Sequence, residues 1–156
     1  MIALGESLPY HEFTFVTAEG KQMRSSDELF AGKKVVLFAV PGAFTPTCSQ
    51  AHMPGYVTLA DRFMEKGASV YCLSVNDAYV MRAWQRDQNA DAITMLADGD
   101  GSFVSKLGLA KETWAFGGLR SQRFALIADN GVVTTLRVEA PGKFEVSDAE
   151  SLLALL

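Results

Sequence analysis

Thr45-Pro46-Thr47-Cys48 is the stretch of this chain best equipped for chemistry. It follows an apolar run, Val35 to Val40, that reads as a strand covered on both faces. Thr45 is expected as a helix N-cap and Pro46 as the first helical residue, a position proline favours. Cys48 then falls in the first turn, where N–H groups lack intrahelical partners and the macrodipole is positive. A sulfur placed there is favoured as thiolate, the nucleophilic form. The tetrapeptide carries threonine where a C-x-x-C motif carries its first cysteine. Disulfide exchange of the ordinary kind needs both sulfurs, whereas one thiolate beside one hydroxyl suits attack on an O–O bond.

Magnitudes say what else such a site needs. A free thiol with a pKa near 8.5 is already about 3% thiolate at pH 7, so full ionisation raises the rate by at most about 30-fold. Lowering a thiol's pKa also lowers its intrinsic nucleophilicity, which trims that gain. Donors aimed at the oxygen that leaves are worth about 10²–10³ each. Thr45, three residues before Cys48, can bring a hydroxyl to the same helix mouth. Arg120 and Arg123 offer guanidinium groups, always charged and with several donors in one plane.

The block Pro41-Gly42-Ala43-Phe44-Thr45-Pro46-Thr47-Cys48, continued as Ser49-Gln50-Ala51-His52-Met53-Pro54-Gly55-Tyr56, resembles the active-site segment of peroxiredoxins. More narrowly it resembles the type-five branch, which includes plant type II enzymes and bacterial forms often fused to glutaredoxin. Leu73 to Val80 and Leu119 to Leu126 agree with the same branch. The resemblance implies a thioredoxin-like α/β fold, a mixed central sheet flanked by helices. It implies reduction of hydrogen peroxide and alkyl hydroperoxides through a sulfenic acid at Cys48, with Pro41, Thr45 and Arg123 completing the catalytic set. Pro41 would shield the thiolate from water.

Cys72 carries two readings. Within the run Ala68 to Val75 it reads as a core residue, but plant type II relatives hold at this position a cysteine that can resolve the sulfenic acid. The animal enzymes use a cysteine near the C-terminus, where this chain has Phe144-Glu145-Val146-Ser147. A one-cysteine cycle with glutathione or glutaredoxin as resolving thiol is therefore favoured, and a two-cysteine cycle with thioredoxin as donor is the alternative. Two further readings stand apart: a cysteine hydrolase using Cys48 with His52 one helical turn away, and a non-enzymatic binding module. Otherwise His52 reads as a helix-face residue. The resemblance also implies a homodimer meeting through the active-site loops, with Phe44 and Phe116 in or beside the contact.

Positioning these residues falls to a strand–helix–strand–helix order followed by a hairpin and a last helix. Tyr56, Leu59, Ala60, Phe63 and Met64 recur at helical spacing before a stop at Gly67. Asn76 or Asp77 is expected to cap a helix with Val80, Ala83 and Trp84 inward. Ile93 to Leu96 reads as a strand, and Phe103, Val104 and Leu107 as a short helix. Asn130-Gly131 between Arg123–Ala128 and Val132–Val138 is a strong hairpin signal. Ser147 with Glu150 reads as a capping box for a final helix packed through Leu152, Leu153, Leu155 and Leu156.

At 156 residues, with 49% hydrophobic and 21% charged side chains, one domain over 1–156 is expected, with a core that needs no staple. The net charge of −4 disfavours nucleic acid and anionic membrane as partners. Met1 to Glu6 lacks the basic and apolar regions of a secretory signal, and two cysteines are too few for a disulfide framework, so a cytoplasmic setting is expected. Asp98-Gly99-Asp100-Gly101-Ser102 resembles a calcium loop only briefly, since Leu109 stands where the closing glutamate belongs. No cofactor and no metal are expected.

Overall fold

Described for residues 1–156 from a computed structural model, seven strands, β1 (Glu12–Thr17), β2 (Gly20–Ser25), β3 (Lys34–Ala39), β4 (Ala68–Ser74), β5 (Thr94–Ala97), β8 (Phe124–Asp129) and β9 (Val132–Val138), form one mixed sheet in the order β2-β1-β5-β4-β3-β8-β9. Inside it, β3 runs parallel to β4 and antiparallel to β8. β5 continues the parallel side, and β9 completes a hairpin with β8. That hairpin turns through Asn130 and Gly131, both at positive φ, 51° and 78°, the pairing a type I′ turn requires.

Alternation along β3 divides the core in two. Val36 and Phe38 join one apolar cluster with Cys48, Cys72, Tyr56 and Trp84, while Val35, Leu37 and Ala39 join the other with Phe13, Tyr71 and Phe124. The first face is covered by α2 (Met53–Glu65), α3 (Ala78–Asp87) and α5 (Ala149–Leu153); the second takes in Leu29 and Phe30 of α1 (Ser26–Phe30) and Phe103, Val104 and Leu107 of α4 (Ser102–Leu107). No helix is long and apolar enough to cross a membrane.

Several local expectations need correcting. The hairpin of β1 (Glu12–Thr17) and β2 (Gly20–Ser25), the helix α1, and the small sheet of β6 (Ala110–Glu112) and β7 (Leu119–Ser121) are not foreseen by the hydrophobic pattern. Met81 takes the inward place on α3 given to Ala83, which is exposed; Met64 and Leu155 also face solvent. Asp77 caps α3, while Asn76 instead accepts from the Ala43 N–H and the Ser74 hydroxyl. Asp98 spends its carboxylate on the first N–H groups of α4. α5 is capped by Asp148, one residue later than the capping box predicts, because Ser147 is engaged elsewhere.

Candidate active site

The register of β3 with β8 builds the site. Ala39 lies opposite Phe124, so the turn that leaves β3 at Val40-Pro41 emerges beside Arg123. The chain then runs through Phe44, at φ 63°, into a helix whose first bond joins the Ser49 N–H to the Thr45 carbonyl at 2.9 Å. Thr45 is thus the N-cap by its backbone. Its hydroxyl does not cap; it donates to the Gly42 carbonyl at 2.7 Å, which turns its lone pairs outward as acceptors.

Cys48 opens a π-helical turn, Cys48–His52, closed by a bond from the Met53 N–H back to the Cys48 carbonyl. Such wide turns recur at functional sites because they re-aim side chains within a helix. Cys48 is only 1% exposed. Arg123 reaches it from the other side of the β3–β8 pair: Nη2 donates to Cys48 Sγ at 3.1 Å, and Nη1 donates to His52 Nδ1 at 2.7 Å. One guanidinium bridges the sulfur and the imidazole, a use of the planar fork that a lysine could not match. The Phe144 ring faces the same guanidinium at 5.8 Å.

His52 is the functional residue that sequence reasoning misassigned. Neither nitrogen is available as a base toward Cys48. Arginine only donates, so Nδ1 is the acceptor and Nε2 carries the proton, which it gives to the Ser147 carbonyl at 3.0 Å. Burial and the neighbouring Arg123 charge push the imidazole down to about 3, far below the range a general base needs. The helix face it occupies is an inner one, since the ring is fully buried. A cysteine–histidine pair four residues apart was legible; that the histidine serves the arginine was not.

This has a consequence in acid. Between about pH 6.5 and about 3 the unfolded chain protonates His52 and the native one does not, so stability is full above that window and falls as pH drops through it. The limiting slope is about 1.4 kcal/mol per pH unit. Urea titrations from pH 7 to 4.5 are expected to show a steeper decline for the wild type than for His52→Gln. Equal slopes would mean that the imidazole is charged in the fold.

Arg120 does not face the sulfur. Its Nη1 donates to the Pro41 carbonyl at 2.8 Å, its guanidinium stands 5.6 Å from the Phe116 ring centroid, and a Cβ at Gly42 or Gly117 would collide with it. It braces the loop that Pro41 begins. Over that loop runs a groove of about 820 Å³ lined by Pro41, Thr45, Arg123 and Phe144, with Lys111 and Lys143 among its charged residues. Cys72 lies apart from it, fully buried in β4, where burial holds its thiol well above the ordinary range and so in the neutral form. Phe44 and Phe116 are exposed, as expected.

A mixed sheet with one thiol where β3 gives way to a helix, and a guanidinium on that thiol, defines a thiol-based redox protein of thioredoxin-like fold. Comparison with known proteins agrees. The Redoxin family model matches residues 3–153. The chain is 61% identical to a Vibrio vulnificus Prx3 solved reduced in complex with H₂O₂, covering 99% of each chain with a TM-score of 0.97. It is 44% identical to peroxiredoxin-2C of Oryza sativa subsp. japonica over 99% of this chain and 98% of that protein. It is also 40% identical to the hybrid peroxiredoxin hyPrx5 of Haemophilus influenzae, over 97% of this chain and 65% of the hybrid. The chain belongs to the Redoxin family, as a peroxiredoxin of the kind that includes the plant type II and hybrid enzymes. Its activity is that of a thiol peroxidase.

Proposed function

We propose that Cys48 is the nucleophile and that glutathione, alone or with glutaredoxin, returns it to the thiol. The carrying observation is the 3.1 Å bond from Arg123 to Cys48 Sγ at the mouth of a helix. The thiolate attacks one peroxide oxygen, an S–O bond forms as the O–O bond breaks, and the departing oxygen leaves as water or alcohol after taking a proton. Arg123 and the first-turn N–H groups meet the charge that develops on that oxygen. Thr45, its own proton spent on Gly42, accepts from the peroxide O–H and orients it.

The resulting sulfenic acid condenses with one glutathione thiol to a mixed disulfide and water; a second thiol releases oxidised glutathione and the Cys48 thiolate. The groove is far larger than hydrogen peroxide requires and falls in the range of small-molecule sites, about 300–1,000 Å³. Lys111 and Lys143 suit the two carboxylates of a γ-glutamyl tripeptide, and Glu112 suits its ammonium. The buried neutral thiol of Cys72 favours this cycle over one resolved within the chain. The setting this cycle suits is the reducing cytoplasm.

Cys72→Ser is expected to keep most turnover with glutathione plus glutaredoxin. Peptide mapping after one equivalent of peroxide is expected to find a Cys48–glutathione mixed disulfide. A dominant Cys48–Cys72 disulfide, with turnover lost in the serine variant, would instead establish the thioredoxin-linked cycle. Two subunits are proposed to meet through the Phe44 and Phe116 loops, both exposed beside the site, giving about twice 16.9 kDa on sedimentation at micromolar concentration. A monomer with full activity would remove that interface.

A further inference from the structure

Glu139 is a buried carboxylate that no step above uses. It makes no ion pair, yet four donors converge on it. Oε1 accepts from the Glu145 N–H, and Oε2 accepts from the Val146 and Ser147 N–H groups, each at 2.8 Å, and from the Ser147 hydroxyl at 2.7 Å. Burial alone would raise this carboxyl, but the Ser147 hydroxyl and the three amides outweigh it and hold it below the usual glutamate range. A charge kept in this way ties the loop before α5 to the end of β9.

The tie leads to the sulfur. The Ser147 carbonyl takes both the His52 Nε2–H and, at 2.8 Å, the Tyr56 hydroxyl. His52 in turn accepts from Arg123, and Arg123 holds Cys48. The Glu139 N–H also donates to the Arg123 carbonyl at 3.0 Å, so one residue fixes the arginine's backbone and the far end of its side-chain support. We propose that Glu139 is a positioning residue for Arg123, acting through Ser147 and His52 to keep the imidazole in the one tautomer that can accept the guanidinium. If the Ser147 carbonyl moves, Nε2–H loses its acceptor and the ring is free to carry its proton on Nδ1. Nδ1–H then opposes an arginine N–H, donor against donor, and the guanidinium must leave its place on the sulfur. This rests on the role proposed for Arg123 and Cys48.

The experiment uses reduced full-length protein and two readouts. Nitrogen-15 NMR of the ring nitrogens reports the tautomer, and with His11 the only other histidine the assignment is direct. Stopped-flow tryptophan fluorescence reports single-turnover oxidation by hydrogen peroxide, through Trp84, whose Nε1 donates to the Ser49 hydroxyl at 3.0 Å beside Cys48. In the wild type His52 is expected as pure Nε2–H. Glu139→Ala is expected to give mixed tautomers and oxidation slowed about 10- to 100-fold, the scale of a misplaced reacting group. Asp148→Ala, which uncaps α5 in the same loop, is expected to lower stability while leaving tautomer and oxidation rate unchanged.

A single Nε2–H tautomer in Glu139→Ala with a rate within twofold of wild type would overturn the proposal. So would mixed tautomers with an unchanged rate, because His52 would then not act on Arg123. If the alanine variant does not fold, Glu139→Gln decides on the same readouts, since its amide cannot accept on both sides: mixed tautomers with at least threefold slower oxidation support the proposal, and any other result overturns it. Failure of the underlying Cys48 assignment is distinguishable, since oxidation would then persist in Cys48→Ser.

Discussion

Cys48→Ser is expected to abolish peroxide turnover while leaving the fold intact. Serine is the smaller isostere of cysteine, so it fits the 1%-exposed position without a clash and removes only the bulk of one sulfur. The chemistry does not survive the exchange. A hydroxyl is negligibly ionised at neutral pH, whereas even an unperturbed thiol is a few per cent thiolate and intrinsically more nucleophilic. Cys72 offers no substitute, being sealed in β4 as a neutral thiol. Peroxide consumption above a few per cent of wild type in the serine variant would place the nucleophile elsewhere.

Arg123→Ala is expected to slow oxidation by about 10²–10³, the cost of one donor aimed at a developing oxyanion. The truncation removes two bonds at once, to Cys48 Sγ and to His52 Nδ1. Arg120 is not placed to compensate, because its guanidinium is committed to the Pro41 carbonyl and wedged past Gly42 and Gly117. Arg123→Lys is expected to recover only part of the rate, since an ammonium is a point charge and cannot span sulfur and imidazole in one plane. Stopped-flow oxidation of the reduced variants measures both. A loss under threefold in the alanine variant would assign the charge stabilisation to the first-turn amides instead.

What could be read from the chain and what could not follow a physical line. Cys48, Thr45 and Pro41 stand out because strand, N-cap and proline occur in a fixed local order, whereas Arg123 stands out only through the family likeness of its own segment; the structure brings these four together. The central strands were legible because full burial makes them continuously apolar, as Val35 to Ala39 are. β2 was not, because Gly20 to Met23 lie exposed and nothing in their side chains marks a strand. β6 and β7, three residues each, fall below the length at which periodicity carries information. Ser147 was misread for a different reason. A serine before a helix with glutamate three residues on satisfies the capping pattern, but the buried carboxylate of Glu139 competes for the same hydroxyl and wins it. His52, Arg120 and Glu139 depend on partners 71 to 95 positions away or on a loop folding back, which spacing along the chain does not encode.

The pairing of β3 with β8 also carries a meaning in time. Cys48 and Arg123 are separated by 75 positions, and only this non-local antiparallel ladder brings them together. At about 5–20 residues per second a ribosome makes the thiol roughly 4–15 s before the arginine that serves it. A nascent chain therefore carries this cysteine without its guanidinium until Arg123 has been made and β8 has paired. Because a one-residue slip of β8 would turn its alternate side chains to the wrong face, a misregistered chain gains no reactive sulfur either. Fast oxidation arrives with the native topology, and a chain without its β3–β8 pairing keeps only the slow reactivity of a lone thiol.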